Sequence, residues 1–174
     1  KSYEYGVKLT DNYIHDNYCG LKTFNGAEYS TYTSNSITKN QIGVYCDSGN
    51  NSWVNNHIDK NRVGLVMSNG VNDSHGTFAA CSFNHCTLYG VALNSLSAGE
   101  VFSACQIWYG TIYVKNSKGV IFSGGEIGVS TVYADGNFPT GGMWMICNTI
   151  FQATNSIVHN HLGHGSNLKL KNNY

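Results

Sequence analysis

The chain has 174 residues, only 11% of them charged, and its formal net charge is +0. Its length fits one domain. The low charge, with a single arginine and no basic run, argues against nucleic acid as a partner. No apolar stretch is long enough to predict insertion into a membrane, and no secretion or targeting signal is evident. We expect the chain to be a segment of a longer protein, because it begins inside a repeat.

A decapeptide pattern, Asn-x-Ile-x-x-Asn-x-x-Gly-aliphatic, occurs three times in the first part of the chain. Its copies begin at Asn12, Asn35 and Asn56, so the pattern returns after 23 and then 21 residues. A repeat of this length is typical of a solenoid, in which each short coil buries its apolar face only by stacking on its neighbours.

The pattern continues in a degenerate form further along the chain. Its isoleucine position is filled in turn by Phe83, Ile107 and Ile127. A bulky residue stands five positions before each of five anchors, Ile37 and Ile58 of the regular copies included; these residues are Tyr32, Trp53, Phe78, Phe102 and Phe122. Because two columns keep their offset while the period varies, the variable residues are expected in loops between the strands.

Each coil of about 20–25 residues has room for three short strands. One strand carries the anchor, a second follows the glycine, and a third carries the bulky residue. Leucine-rich repeats have a similar period but need several leucines per coil. Here β-branched residues, aromatic residues, Asn and Gly dominate instead, and no stretch has a sustained helical period.

Stacking places equivalent residues about 4.8 Å apart along the axis. We therefore expect Asn17, Asn40 and Asn61 to point inward and to bond as an amide ladder. The glycines are expected to serve turns that need a positive φ. Four of the six cysteines fall at inward positions, which predicts free core thiols rather than disulfides; these are Cys46, Cys81, Cys86 and Cys105.

With these repeats the chain resembles right-handed parallel β-helices that carry carbohydrate-binding and sugar-hydrolase repeats, as in pectate lyases, alginate epimerases and phage tailspikes. The resemblance implies an all-β, single-stranded, right-handed parallel β-helix. Residues 1–136 would form its coils, and residues 137–174 its last coil or coils with a cap or continuation. Ile150 and Ile157 are alternative anchors for the last coil, because they are too close in sequence to belong to neighbouring coils.

The style of the sequence is most similar to that of a bacteriophage tailspike. That resemblance implies a homotrimer in the virion tail, assembled in the host cytoplasm, that binds and cleaves a bacterial capsule or lipopolysaccharide without a cofactor. A secreted bacterial polysaccharide lyase or epimerase is the alternative enzyme. A structural or adhesive β-helix without activity is the non-enzymatic alternative.

Outward residues on and beside the anchor strands are expected to stack into one exposed stripe. A stripe that mixes aromatic rings, carboxylates, amides and imidazoles suits sugars, because rings pack on sugar faces while polar groups bind hydroxyls. The candidate substrate-binding residues are Asp59, Asn84, Gln106 and Trp108. The candidate catalytic residues are Glu126, His57, His85 and Tyr109.

The sequence leaves the reaction open between glycoside hydrolysis and elimination. Asp59 and Glu126 lie about three coils apart, roughly 14 Å, which is too far for a hydrolytic pair; Glu100 or Asp135 is the other candidate partner for Glu126. A lyase needs a base for the proton next to a uronate carboxyl, and the histidines and tyrosine of the stripe qualify by residue type.

Three histidines near the C-terminus have a spacing that invites a metal-site hypothesis. They are His159, His161 and His164, and no cysteine or carboxylate completes a ligand set beside them. We therefore predict no metal.

Overall fold

A computed structural model describes residues 6–24, 27–68, 76–96, 99–117, 119–135, 144–152, 157–160 and 168–174. Every strand pairing in these segments is parallel, and the segments contain no helix. The chain winds through three sheets in the same order in each coil. The predicted parallel β-helix is confirmed.

Sheet 1 carries the bulky column. Its described strands are Lys8–Thr10, Thr31–Thr33, Ser52–Val54, Gly76–Ala79, Glu100–Ser103, Ile121–Ser123, Trp144–Cys147 and Leu168–Lys171. Sheet 3 follows the glycine step. Its described strands are Cys19–Thr23, Ile42–Cys46, Val63–Ser68, Tyr89–Asn94, Thr111–Lys115, Thr131–Asp135 and Ile157–Asn160.

Sheet 2 carries the anchors. Its described strands are Tyr13–His15, Ser36–Thr38, Gln106–Trp108, Glu126–Gly128 and Ile150–Gln152. Single parallel bridges through His57 and Ser82 join its first two strands to the last three. Sheet 2 therefore runs without a break past the middle coils, and its outward residues form continuous files.

The bulky column of sheet 1 is a stack of buried rings. Neighbouring ring centroids lie 3.9 Å apart for Tyr32 and Trp53, 5.3 Å for Trp53 and Phe78, and 5.0 Å for Phe78 and Phe102. Phe122 continues the stack at 4.5 Å from Phe102. Each ring buries a large apolar area and also gains offset stacking, so this column contributes much of the hydrophobic stabilisation.

The asparagine ladder joins successive coils through both side chain and backbone. Asn40 Oδ1 accepts a hydrogen bond from the backbone amide of Asn17 at 2.9 Å, and Asn40 Nδ2 donates to Asn61 Oδ1 at 3.1 Å. Asn61 in turn donates to the carbonyl of Ile37 at 2.9 Å. Asn40 and Asn61 are buried, whereas Asn17, on the first described coil, is exposed.

Thiols replace amides in the same positions further along. The Cys81 thiol donates to the Trp53 carbonyl at 3.5 Å, where Asn56 donates to the Tyr32 carbonyl one coil earlier at 2.9 Å. All six cysteines are free thiols, and the four predicted to face inward are buried. Burial raises the pKa of Cys86 to about 12, so this thiol stays neutral in the core.

The expectation that the repeat glycines serve positive-φ turns is wrong. Residues with positive φ are almost all other types, and they stand directly before ladder residues, as Lys39 (φ 58°) does before Asn40. Gly43 instead is the second residue of the strand Ile42–Cys46, at a place without room for a side chain. A Cβ there would lie 2.7 Å from both the Gly64 carbonyl oxygen and Asn61 Nδ2.

Neither candidate anchor for the last coil is correct. Phe151 pairs with Ile127 in the anchor column, while Ile150 beside it points outward and is 46% exposed. Ile157 begins the next strand of sheet 3, paired with Thr131. The reason is the five-residue offset: Ile146 occupies the bulky column of sheet 1, and Phe151 follows it by five positions.

Candidate functional site

Two files of outward side chains run along sheet 2. The first contains His57, Ser82, Gln106 and Glu126 on successive coils. The second contains Asp59, Asn84 and Trp108 on the coils that carry His57, Ser82 and Gln106. Backbone alternation around the buried anchors Ile58, Phe83, Ile107 and Ile127 sends both files outward. The sequence-predicted stripe is therefore present as a surface.

An imidazole, a hydroxyl and a carboxylate form a short chain at one end of this surface. The Ser82 hydroxyl donates to Asp59, with both carboxylate oxygens 2.9 Å from Oγ. His57 Nδ1 lies 3.1 Å from the same Oγ and 3.8 Å from Asp59 Oδ2. The backbone amide of Asn84 adds a further bond to Asp59 Oδ1 at 2.8 Å.

These contacts determine which nitrogen of His57 carries the proton. Ser82 has one hydroxyl hydrogen, and it is directed to Asp59, so the contact with His57 requires an N–H on Nδ1. In the neutral ring the lone pair then lies on Nε2. The side chain of His57 is 63% exposed. Its basic nitrogen is thus available to a ligand, while the Ser82 and Asp59 oxygens hold the ring in place.

An aromatic platform occupies the middle of the surface. The six-membered part of the Trp108 ring lies over Gly128 on the next coil, where an added Cβ would stand 2.8 Å from Trp108 Cδ2. Asn84 holds the backbone of Trp108 in place, because Asn84 Oδ1 accepts a hydrogen bond from the Trp108 backbone amide at 3.0 Å. Trp108 is half-buried, so one part of the ring packs on the coil below and the rest remains accessible.

The platform continues over the corner between sheets 2 and 3. The rings of His85 and Tyr109 stack with centroids 4.7 Å apart, and the Trp108 and Tyr109 centroids are 6.0 Å apart. Both corner residues have positive φ, 56° and 54°. Asp16, Lys39, Lys60 and Val129 have the same conformation at the equivalent corners of the other coils, so it belongs to the architecture and is not by itself a sign of function.

A groove of about 310 Å³ lies beside Tyr109 on the same corner. Leu88, Thr111 and Thr131 line it together with Tyr109, and Leu88 is 40% exposed. An aliphatic side chain, a phenol and two threonine hydroxyls offer both apolar contact and hydrogen bonds. This lining suits a polyhydroxylated ligand.

The predicted site residues thus fall into two groups. His57 and Asp59 meet through Ser82 at one end, and His85, Trp108 and Tyr109 form the aromatic platform. Asn84 connects the two groups through its contacts to Asp59 and Trp108. Gln106 and Glu126 follow Ser82 along the first file, with Glu126 beyond the platform.

The structure brings no second carboxylate to Glu126 within the described residues. Asp59 lies three coils away, as expected from the repeat. Glu100 is buried inside the strand Glu100–Ser103 of sheet 1, and Asp135 ends a strand of sheet 3. Glu100 shares no face with Glu126, because it is buried in sheet 1 whereas Glu126 lies on sheet 2, so the pairing of these two residues is wrong. The side chain of Asp135 lies outside the described part of the structure, and its pairing with Glu126 stays a prediction.

Ser82 is the residue that sequence reasoning missed. It stands one position before the anchor Phe83, where His57 stands before Ile58 and Gln106 before Ile107. The alternation of inward and outward residues along the strand therefore predicts Ser82 in the same outward file as His57 and Gln106. A small serine gives no sign in the sequence that it links His57 to Asp59.

The described segments contain no cluster of three or more His, Cys, Asp or Glu that could hold a metal ion. Nor do they contain a helix that could span a membrane. Of the three C-terminal histidines, His161 and His164 lie outside the described residues.

Comparison with known proteins identifies the family. The model of the right-handed β-helix region matches residues 2–97, more than half of the chain, and the chain belongs to this family. The fold occurs in polysaccharide-active and in adhesive proteins. No curated protein and no solved structure matches the chain significantly.

Glu100 is a buried carboxyl that belongs to no described surface. It is 1% exposed, and its Oε2 has no hydrogen-bond partner among the described residues. Burial raises its pKa to about 8, although a hydrogen bond to the Gly76 backbone partly opposes this. Glu100 is therefore largely protonated in the folded protein at neutral pH, whereas in the unfolded chain it is ionised.

We expect this difference to make the protein less stable as the pH rises. Below the unfolded pKa of about 4.5 the carboxyl is neutral in both states; between about 4.5 and 8 only the unfolded state loses the proton, and folding stability falls. The loss should reach a few kcal/mol and level off above the folded pKa. Denaturant titrations from pH 4 to 9 measure it.

Glu100→Gln should remove this fall, because an amide does not titrate. Glu126→Gln, at a half-buried position on sheet 2, is the matched control and should retain it. If the stability of Glu100→Gln falls with pH as steeply as that of the wild-type protein, the assignment to Glu100 is wrong.

Proposed function

We propose that this β-helix binds a bacterial surface polysaccharide along sheet 2 and its corner with sheet 3, as a phage tailspike does. The observation that carries the proposal is the platform of Trp108, Tyr109 and His85, next to a chain of imidazole, hydroxyl and carboxylate. Rings pack against the apolar faces of sugars, while the polar chain binds hydroxyls. The groove beside Tyr109 extends this surface.

The finer parts of the proposal come from the resemblance to tailspikes. They are the homotrimer, the place in the virion tail after assembly in the host cytoplasm, and the capsule or lipopolysaccharide ligand. A secreted lyase or epimerase would use the same surface. A structural or adhesive β-helix would bind without cleaving.

If the surface cleaves its ligand, elimination fits the described residues better than hydrolysis. A hydrolase needs two carboxyl groups within about 10 Å, and Asp59 and Glu126 lie about 14 Å apart at the stacking distance. In elimination, His57 Nε2 would take the proton on the carbon next to a uronate carboxyl. The electron pair forms a double bond to the neighbouring carbon as the bond to the glycosidic oxygen breaks, and that oxygen takes a proton from water. Asp59 would stabilise the resulting imidazolium through Ser82.

The platform predicts that Trp108→Leu weakens oligosaccharide binding at least tenfold, about 1.4 kcal/mol. Leucine keeps an apolar cover over Gly128 but removes the ring, so the melting temperature should change little. Isothermal titration with capsular and lipopolysaccharide fragments measures the effect. Tyr113→Ala, on sheet 3, is the control and should bind normally.

Unchanged binding by Trp108→Leu would place the sugar site elsewhere. If Trp108→Leu and Trp108→Ala both fail to fold, the ring serves the core, and the platform does not exist as a binding surface.

The hydrogen-bonded chain predicts that His57→Gln slows cleavage at least about a hundredfold while binding stays intact. Ser82→Ala should cause a smaller loss, because Nε2 remains but the ring is less well held. Unsaturated product, followed by its ultraviolet absorbance, measures the rate. Glu126→Gln should cleave normally.

A large loss in Glu126→Gln with normal cleavage by His57→Gln would favour a hydrolase centred on Glu126. If the wild-type protein binds polysaccharide but releases no product, the adhesive alternative is correct.

A further inference from the structure

A group of basic residues lies on the same corner as the platform, on the two preceding coils. The group, here called the basic corner, consists of Lys39, Lys60 and Arg62, all of them exposed. The sequence shows no basic run, because one coil length separates Lys39 from Lys60. Stacking removes that separation and places them about 4.8 Å apart in backbone position.

Backbone geometry directs these cations outward. Lys39 and Lys60 have positive φ, 58° and 57°, as His85 and Tyr109 do at the equivalent points of the next two coils. Arg62 belongs to the same stack, since its amide donates to the Asn40 carbonyl at 3.0 Å. Lysines, imidazole and phenol thus follow one another along a single ridge.

The basic corner is continuous with the groove. Leu88, which lines the groove, donates its amide to the Arg62 carbonyl at 2.9 Å, so the two residues are neighbours on adjacent coils. A ligand in the groove that extends along the ridge toward the N-terminal coils meets Arg62 and Lys60 next.

The nearest acids do not neutralise the whole group. Asp59 is held by the Ser82 hydroxyl and the Asn84 amide and is 24% exposed. The hydrogen bond with His15 lowers the pKa of Asp16, and the nearby charge of Lys39 contributes to the same shift. Lys60 and Arg62 form no ion pair within the described residues. On a chain with zero net charge these two cations form a local positive field.

We propose that the basic corner binds the acidic groups of the polysaccharide, so that the substrate class is a carboxylate-bearing glycan rather than a neutral one. This inference rests on the proposed function and adds its ligand chemistry. Arg62 can bind a carboxylate through two parallel N–H groups, and Lys60 adds a second charge. The groove then takes the next sugar unit against Leu88 and Tyr109.

The test compares uronate-bearing capsular polysaccharides with the same polymers after chemical reduction of their carboxyl groups. At low salt we expect at least one acidic polymer to bind about tenfold more tightly than its reduced form. The double variant Lys60→Gln/Arg62→Gln should lose that preference. Lys169→Gln/Lys171→Gln removes the same charge from exposed positions on the last described strand of sheet 1 and should retain it.

Three outcomes would overturn the inference, and one of them also concerns the proposed function. If acidic and reduced polymers bind with equal affinity and Trp108→Leu still weakens binding, the basic corner does not take part in recognition. The proposed sugar-binding surface would then still hold. Binding of single-stranded DNA as tight as that of the best polysaccharide, and equally sensitive to the double variant, indicates a general polyanion surface. If no polymer of either kind binds, the proposed function fails together with the inference.

Discussion

The bond from each ladder side chain to the backbone of the neighbouring coil is the constraint on which this fold depends. Every ladder residue follows a corner residue in the left-handed region, a conformation that costs roughly 1 kcal/mol or more for a residue with a side chain. Asn40 offsets that cost, because its Oδ1 accepts from one neighbour and its Nδ2 donates to the next. A thiol serves at Cys81, where apolar packing accompanies weak contacts to the Trp53 and Ala79 carbonyls.

The same constraint creates the functional surface. One tight corner on each side of the sheet 2 strands, up to the strand Glu126–Gly128, fixes which residues point outward. The side chains of successive coils therefore line up although 20 or more residues separate them. His57, Ser82 and Asp59 meet because two coils are in register, and no local motif could bring them together. The left-handed conformation of each corner residue directs its side chain away from the core. This explains why the rings of His85 and Tyr109 stack at the surface and why Lys60 lies beside them.

Most of the fold could be predicted from the sequence, because a solenoid repeats its packing solution once per coil. The anchor and bulky columns were sufficient to predict the three sheets. The last coil was mispredicted because Asn148 and Ile150 imitate the anchor motif, whereas the ladder position is filled by Thr149, whose amide donates to Asn173 Oδ1 at 3.1 Å. The two files of outward side chains on sheet 2 could be predicted from the inward–outward alternation of residues along each strand. The link through Ser82 and the positive charge of the basic corner could not be predicted, since both depend on neighbours from different coils.

The most direct measurement of the central constraint is the stability of Asn40→Ala compared with that of Asn94→Ala in urea. Asn40 is buried in the ladder, whereas Asn94 is half-buried and its described side-chain contact is with Ser95 beside it. Removing the ladder amide should cost about 1–3 kcal/mol, because the Asn17 amide and the Ile14 carbonyl on the preceding coil and Asn61 Oδ1 on the next coil each lose a hydrogen-bond partner. The outward amide should cost less than about 0.5 kcal/mol. Equal unfolding midpoints for the two variants would contradict the account.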